Sequence, residues 1–204
     1  MRSALLPMAL AAALASCSPL PGLQPPPRLH TLTAAETFPA GLPRTNEQLL
    51  IEAPSATAGL DTPRIALRTA PTNLDYFANV NWTDRAPLMV QGLLVESFER
   101  SRGIRAVGRE SSLLRSDWVL SAELRDFQAE YPGDPASSVP VVRVGLNAKL
   151  VSTQRRSIEA GETFETAVQA RDNSIAAVIE AFDQAVDKVL ADTVVWTLGR
   201  LPRS

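Results

Sequence analysis

Three kinds of side chain in this sequence carry chemistry that a site could use. Cys17 is the only cysteine, His30 is the only histidine, and Asp117, Glu123, Asp126 and Glu130 form a spaced run of carboxylates. A single thiol cannot close an intramolecular disulfide. A single imidazole lacks the further Cys or His ligands of an ordinary zinc site, and His30 has no neighbouring carboxylate to orient it for nucleophilic catalysis. His30 therefore reads as a structural or exposed histidine. Carboxylates brought together in a pocket can do acid–base work. Along the wet face of an outer strand, the same residues only solvate it. No glycine-rich phosphate loop is present. No catalytic, cofactor-binding or metal-binding residue is assigned, and the chain does not read as an enzyme.

Cys17 is different because of what precedes it. Met1-Arg2 gives a positive end, and Ala4 to Leu14 is an apolar run of small residues and leucines, too short to span a bilayer. Leu14-Ala15-Ser16-Cys17 then resembles the bacterial lipobox, in which small residues admit the peptidase and the thiol accepts a diacylglyceryl group. On this reading residues 1–16 are a lipoprotein signal peptide and Cys17 is the lipid attachment site, a membrane anchor of thioether-linked lipid and fatty acyl chains such as palmitate. The alternative is an ordinary signal peptide with a chance cysteine beside its cleavage site. Ser18 follows the cysteine where inner-membrane retention commonly uses Asp, which directs the expectation to the outer membrane. Ser18 to Pro27 holds five prolines, so residues 17–27 read as the lipidated Cys and an extended tether. At about 3.1 Å per residue, its ten residues reach roughly 30 Å.

The remaining chain, 28–204, is long enough for one α+β domain with a real core. With 20 basic and 22 acidic residues there is no positive excess to hold phosphates, so nucleic acid is not expected as a partner. Removing residues 1–16 would leave 188 residues at a net charge of −3.

The elements that would position these groups are legible in the periodicity. Leu29–Thr33 and Leu49–Ile51 read as short strands, with a loop from Ala34 to Glu47 between them. Arg64–Arg68 alternates and is expected to pair with the aromatic run from Leu74, across a turn at Thr69–Asn73. Thr83 or Asp84 is expected to cap a helix with Pro87 in its first turn, an apolar face of Val90, Leu93, Leu94 and Phe98, and a stop at Gly103. A short strand, Arg105–Arg109, follows.

Trp118, Leu120, Ala122 and Leu124 then occupy even positions, whereas Phe127, Ala129 and Tyr131 occupy odd ones. A period of two cannot change phase without a bulge, which places one near Arg125-Asp126. Val142, Val144, Leu146, Ala148 and Leu150 alternate cleanly. After a turn at Ser152–Arg156, a return strand carries Ile158, Ala160, Phe164 and Val168, with an irregularity expected at Gly161. The last helix is capped among Asp172–Ser174 and carries Ile175, Val178, Ile179, Phe182, Val186, Val189 and Leu190 on one stripe. Trp196 is expected at its fraying end and Leu201–Ser204 as a polar tail. The order of elements indicates a curved, mostly antiparallel sheet with two main helices packed on it.

Arg64-Ile65-Ala66-Leu67-Arg68, Leu74 to Asn79, Trp82, Val95-Glu96-Ser97-Phe98 and Asp126 to Tyr131 together resemble the ABC-type transport auxiliary lipoproteins, over roughly Leu29 to Trp196. His30 stands where that family's pattern has an aromatic such as Tyr. The resemblance implies an auxiliary lipoprotein at the periplasmic face of the outer membrane. It would work beside an ABC permease, an ATPase and a periplasmic lipid carrier of the mammalian-cell-entry type. Independently of it, a curved sheet leaves edges that must be covered, and self-association through them is one way to do so, which makes a homo-oligomer the expectation. It implies no catalytic residues, and only Cys17 takes a defined chemical role from it. A structural or regulatory envelope lipoprotein that binds a cell-wall enzyme or peptidoglycan would share the same anchor and fold.

Overall fold

The computed structural model describes residues 25–109 and 116–204. The signal segment, Cys17 and the tether up to residue 24 lie outside them. The order is β1 (Arg28–His30), β2 (Thr45–Ile51), β3 (Ser55–Ala56), β4 (Arg64–Ala70), β5 (Asn73–Trp82), α1 (Ala86–Ser101), β6 (Ile104–Arg109), β7 (Trp118–Glu130), β8 (Val141–Ser152), β9 (Ser157–Gln169) and α2 (Ile175–Arg200).

β7 is the spine of one nine-stranded open sheet. One of its edges pairs antiparallel with β8 from end to end, and β8 pairs antiparallel with β9. The other edge takes three strands in succession, all parallel: β2 at Trp118–Leu120, β3 at Glu123 and Leu124, and β4 at Gln128–Glu130. β2 then carries β6, while β4 carries β5 in a hairpin and β5 carries β1. The three antiparallel ladders hold most of the paired residues, so the α+β, mostly antiparallel architecture stands. The short parallel additions make the sheet mixed. Periodicity says which face a residue uses but not which strand lies beside it, so these pairings were not legible.

The phase change in β7 is a bulge. Leu124 pairs with Leu146 and Asp126 with Gly145, leaving Arg125 as the extra residue. Both halves of the strand thereby point their apolar residues at one face: Leu120, Leu124, Phe127 and Ala129 are all buried. Gly145 leaves room for the displaced side chain, since a Cβ there would lie 2.9 Å from Asp126 Oδ2.

Both helices cover that face. Trp82, Phe127 and Phe182 form its aromatic centre, with ring centroids 5.1 Å apart for Trp82–Phe182, 5.2 Å for Phe127–Phe182 and 5.6 Å for Trp82–Phe127. Such tilted pairs add about 0.5–1.5 kcal/mol each beyond the burial of apolar area. Val90 of α1 and Val186, Val189 and Leu190 of α2 meet Leu124, Val144 and Leu146 below them. Phe98 and Leu94 are fully buried.

Several boundaries differ from the sequence expectation. β1 ends at His30, and β2 begins at Thr45 inside the expected loop, because Thr45 N–H donates to Gly103 O and Gln48 N–H to Asp117 Oδ2. The β4–β5 turn shrinks to residues 71–72. The N-cap of α1 is Arg85, without a side-chain cap, since Asp84 Oδ1 instead accepts from Arg85 N–H next to it. Arg102, at φ 53°, ends the helix in the left-handed conformation. Gly103 is needed for closeness: a Cβ there would lie 2.4 Å from Leu198 Cδ1 and 3.1 Å from Pro43 O.

In β9 the extra residue is Glu159, between the paired Ile158 and Ala160, not Gly161. Ser174 caps α2 through Ala177 N–H, as expected. The helix then runs on to Arg200, and Trp196 is buried in it against Phe164, centroids 5.8 Å apart. Leu201 is buried as well, and Ser204 N–H donates to Arg44 O, so the expected polar tail is packed.

Candidate functional site

The carboxylate run lies along β7, spread over its whole length. Asp117, just before the strand, accepts Gln48 N–H at 2.9 Å, which helps dock β2 on the spine. Glu123 pairs with Arg125 Nε at 2.9 Å on the exposed surface. Asp126 and Glu130 flank Gln128, whose side chain is fully buried on the face away from the helices. Gln128 Nε2 donates to Asp126 Oδ1 at 2.9 Å and to Glu130 Oε1 at 3.0 Å, and its Oε1 accepts Phe127 N–H at 2.7 Å. One amide thus satisfies the backbone donor next to the bulge and separates two like charges.

Glu130 also accepts Arg143 Nε at 3.1 Å and lies 3.6 Å from Arg68 Nη1. Arg143 reaches Glu165 Oε1 at 2.5 Å, and these two carboxylates raise its pKa above the ordinary guanidinium value. Asp117 and Glu130 tie β7 to its neighbours, whereas Glu123 and Asp126 are engaged by side chains of β7 itself. Arg68, Pro71, Glu130, Tyr131, Val141 and Arg143 border an open cleft of about 520 Å³. Tyr131 Oη donates to Asn173 Oδ1 at 2.9 Å, and burial raises its phenol pKa. No trio of His, Cys, Asp and Glu side chains fit to hold a metal ion occurs among the described residues.

His30 is half-buried at the end of β1, paired with Trp82, and its carbonyl accepts Thr83 N–H. Its Nε2 is buried with no hydrogen-bond partner among the described residues. The histidine is packed into a strand end, away from the carboxylates of β7. Cys17 lies outside the described residues. Among the described residues no helix is long and apolar enough to cross a membrane.

The sheet edges are features that residue-by-residue reasoning did not single out. β9 pairs only with β8, and β6 only with β2, among the described residues. Among the described residues, two large apolar side chains stand exposed: Leu29 of β1 at 62% and Ile158 of β9 at 61%. Ile158 falls within the apolar alternation of its strand. The bulge at Glu159 turns it to the face away from the helices, opposite Val151.

Residues 29–194 match the family model described as the ABC-type transport auxiliary lipoprotein component, a span that runs through every strand and most of α2. The chain is 30% identical over 150 residues to the uncharacterised protein bll6063 of Bradyrhizobium diazoefficiens, covering 74% of this chain but only 39% of that protein. The fold is similar to the crystal structure of protein XCC0632 from Xanthomonas campestris, at 34% identity and a TM-score of 0.77, covering 83% of this chain and 94% of that one. A second crystal structure, of an uncharacterised protein, shares the fold at 14% identity and a TM-score of 0.65, covering 85% and 99% of the two chains.

Proposed function

The chain belongs to the ABC-type transport auxiliary lipoprotein family, and we propose that it supports lipid transport between the inner and outer membranes by holding a periplasmic carrier at the membrane, without doing chemistry. The observation that carries this reading is the span of the family match across the whole β7-centred sheet and α1, together with the lipobox ahead of it. The anchor is a diacylglyceryl group on Cys17, placed on the periplasmic face of the outer membrane. The partners are a carrier of the mammalian-cell-entry type with its ABC permease and ATPase, and further copies of this chain.

The polar groups on the spine support a binding role over a catalytic one. Asp117 and Glu130 hold hydrogen bonds or ion pairs to neighbouring strands, and Glu123 and Asp126 are engaged within β7, so the run is spread along the spine rather than gathered at one point. The test is photo-crosslinking in intact cells from sites on the sheet, read by mass spectrometry, with the lipid content of each membrane measured after deletion of the gene. Crosslinks to the carrier or permease and a shifted outer-membrane lipid content are expected. Unchanged lipid distribution and no such crosslink would overturn the reading and favour a structural lipoprotein of the cell wall.

A further inference from the structure

The open cleft beside Glu130 lies at the end of the sheet from which the chain arrives. β4 and β7 run parallel and stop there, at Ala70 and Glu130, and β8 starts there at Val141. β5 starts at the same end, at Asn73, and β1 runs in the same sense as β5. Pro25 to Pro27 therefore lead into β1 from the cleft's end of the sheet. Ala70, Pro71, Pro132 and Val141 wall the cleft, and Arg68 and Arg143 line it with them.

The charges in the cleft are unevenly engaged. Glu130 accepts hydrogen bonds from Gln128 Nε2 and Arg143 Nε, and Arg143 Nη1 donates to Glu165. The Arg68 guanidinium lies 3.6 Å from Glu130 and makes no hydrogen bond among the described residues. All of its N–H donors are left for an acceptor in the cleft, and so are those on Nη2 of Arg143. Guanidinium forks of this kind match the paired oxygens of a phosphate. The two arginines, Glu130 and Glu165 together sum to zero charge, so this cluster has no net field with which to collect a dilute ion from a distance. It suits a phosphate presented at high local concentration, by a surface against which the domain is already held.

We propose that the cleft takes the phosphate diester of a membrane phospholipid on Arg68 and Arg143, with the glycerol carbons against Pro71, Pro132 and Val141. The domain then stands with its tether end down on the leaflet that holds its anchor. Direct contact with lipid goes beyond the carrier-holding role, but it rests on the lipid anchor at Cys17 in that reading.

The test titrates the full-length lipidated chain, in phosphate-free maltoside micelles, with dihexanoylphosphatidylglycerol by isothermal calorimetry. One saturable site per chain is expected. Arg68→Gln removes a side chain that holds no hydrogen bond, so it is expected to melt as the wild type does and to weaken the site by about tenfold or more. Ala70→Glu, on the exposed wall, is expected to weaken it likewise by setting a like charge beside the phosphate. Dihexanoylglycerol, which keeps the tails and lacks the phosphate, is expected to show no saturable site. Binding as tight as wild type in either folded variant, or for the lipid without phosphate, would overturn the proposal. So would inorganic phosphate that displaces the lipid at equal concentration, because the site would then belong to the free anion. A wild type that lacks the site and still crosslinks to its carrier in cells would sink this inference and leave the proposed function standing. A chain that binds the lipid and meets no carrier would do the reverse.

Discussion

At the scale of single residues, the buried aromatic and amide groups decide stability. Phe182 touches both Trp82 and Phe127, so Phe182→Ala removes two ring contacts and opens a cavity that the sheet cannot close. A loss of about 3–5 kcal/mol is expected, and the same for Phe98→Ala, measured by urea unfolding. A change below about 0.5 kcal/mol at both sites would mean these faces are not packed. Gln128→Met keeps the volume but leaves Phe127 N–H unpaired and lets Asp126 and Glu130 face each other, which should cost about 1–3 kcal/mol.

Asp172 tests the pH dependence. Hydrogen bonds from Ser174 hold its carboxyl below the usual carboxylate value. A lowered folded-state value contributes stability above the unfolded value, and that contribution fades as pH falls through the folded one. Asp172→Asn should therefore melt lower than wild type at neutral pH, with the two curves converging in acid below about pH 4. Parallel curves down to low pH would assign Asp172 no part in the acid limb.

At the scale of elements, two glycines make opposite predictions. Gly103 sits where a methyl group would strike Leu198 and the Pro43 carbonyl, so Gly103→Ala should push α2 away from the start of β6 and destabilise by about 1–3 kcal/mol. Gly199, in the last turn of α2, has nothing within 4 Å of such a methyl. Gly199→Ala should stabilise by up to about 1 kcal/mol, because alanine loses less backbone freedom in a helix. Thermal melts of the two variants moving the same way would contradict the packing around Leu198.

These glycines also show where sequence reading stops. The bulge at Arg125 was legible because a period of two registers every residue of slippage, and both helix stripes were legible for the same kind of reason. The cause at Gly103 was not, because a steric contact with a helix almost a hundred residues later leaves no local pattern. The start of β2 was hidden because Thr45, Asn46 and Glu47 are polar and are held by Gly103 and the spine rather than by their own alternation. Trp196 read as a frayed end because Gly199 and Pro202 follow it, yet Phe164 and Arg200 enclose its ring. Residues at the sheet edges gave no signal at all, since an unpaired edge is a property of the assembled sheet.

At the scale of the whole molecule, the described chain enters at one end and both helices run away from it. Pro25 to Pro27 lead into β1, which lies beside Val80 to Trp82 where β5 gives way to α1. Phe182 meets Trp82 near that end, and Leu198 reaches Gly103 beyond the far end of α1. The 26 residues of α2 span about 39 Å. With a tether reaching roughly 30 Å, the domain would stay within one or two of its own lengths of the membrane. A lipid anchor at Cys17 would then act through concentration: confinement on a short leash would give an effective concentration in the millimolar range against a partner held at the same surface.

Cys17→Ala should remove that confinement and nothing else. The variant is expected to leave an uncleaved or soluble product whose domain melts at the wild-type temperature. At native expression its crosslinks to the carrier should fall away, and they should return on overexpression, because the docking surface is intact and only its local concentration has dropped. Crosslinking that persists undiminished at native levels would show that the anchor is not what brings the partners together. A mature wild-type chain whose mass lacks a diacylglyceryl group on Cys17 would remove the anchor itself, and with it the reason for the fold to sit at a membrane.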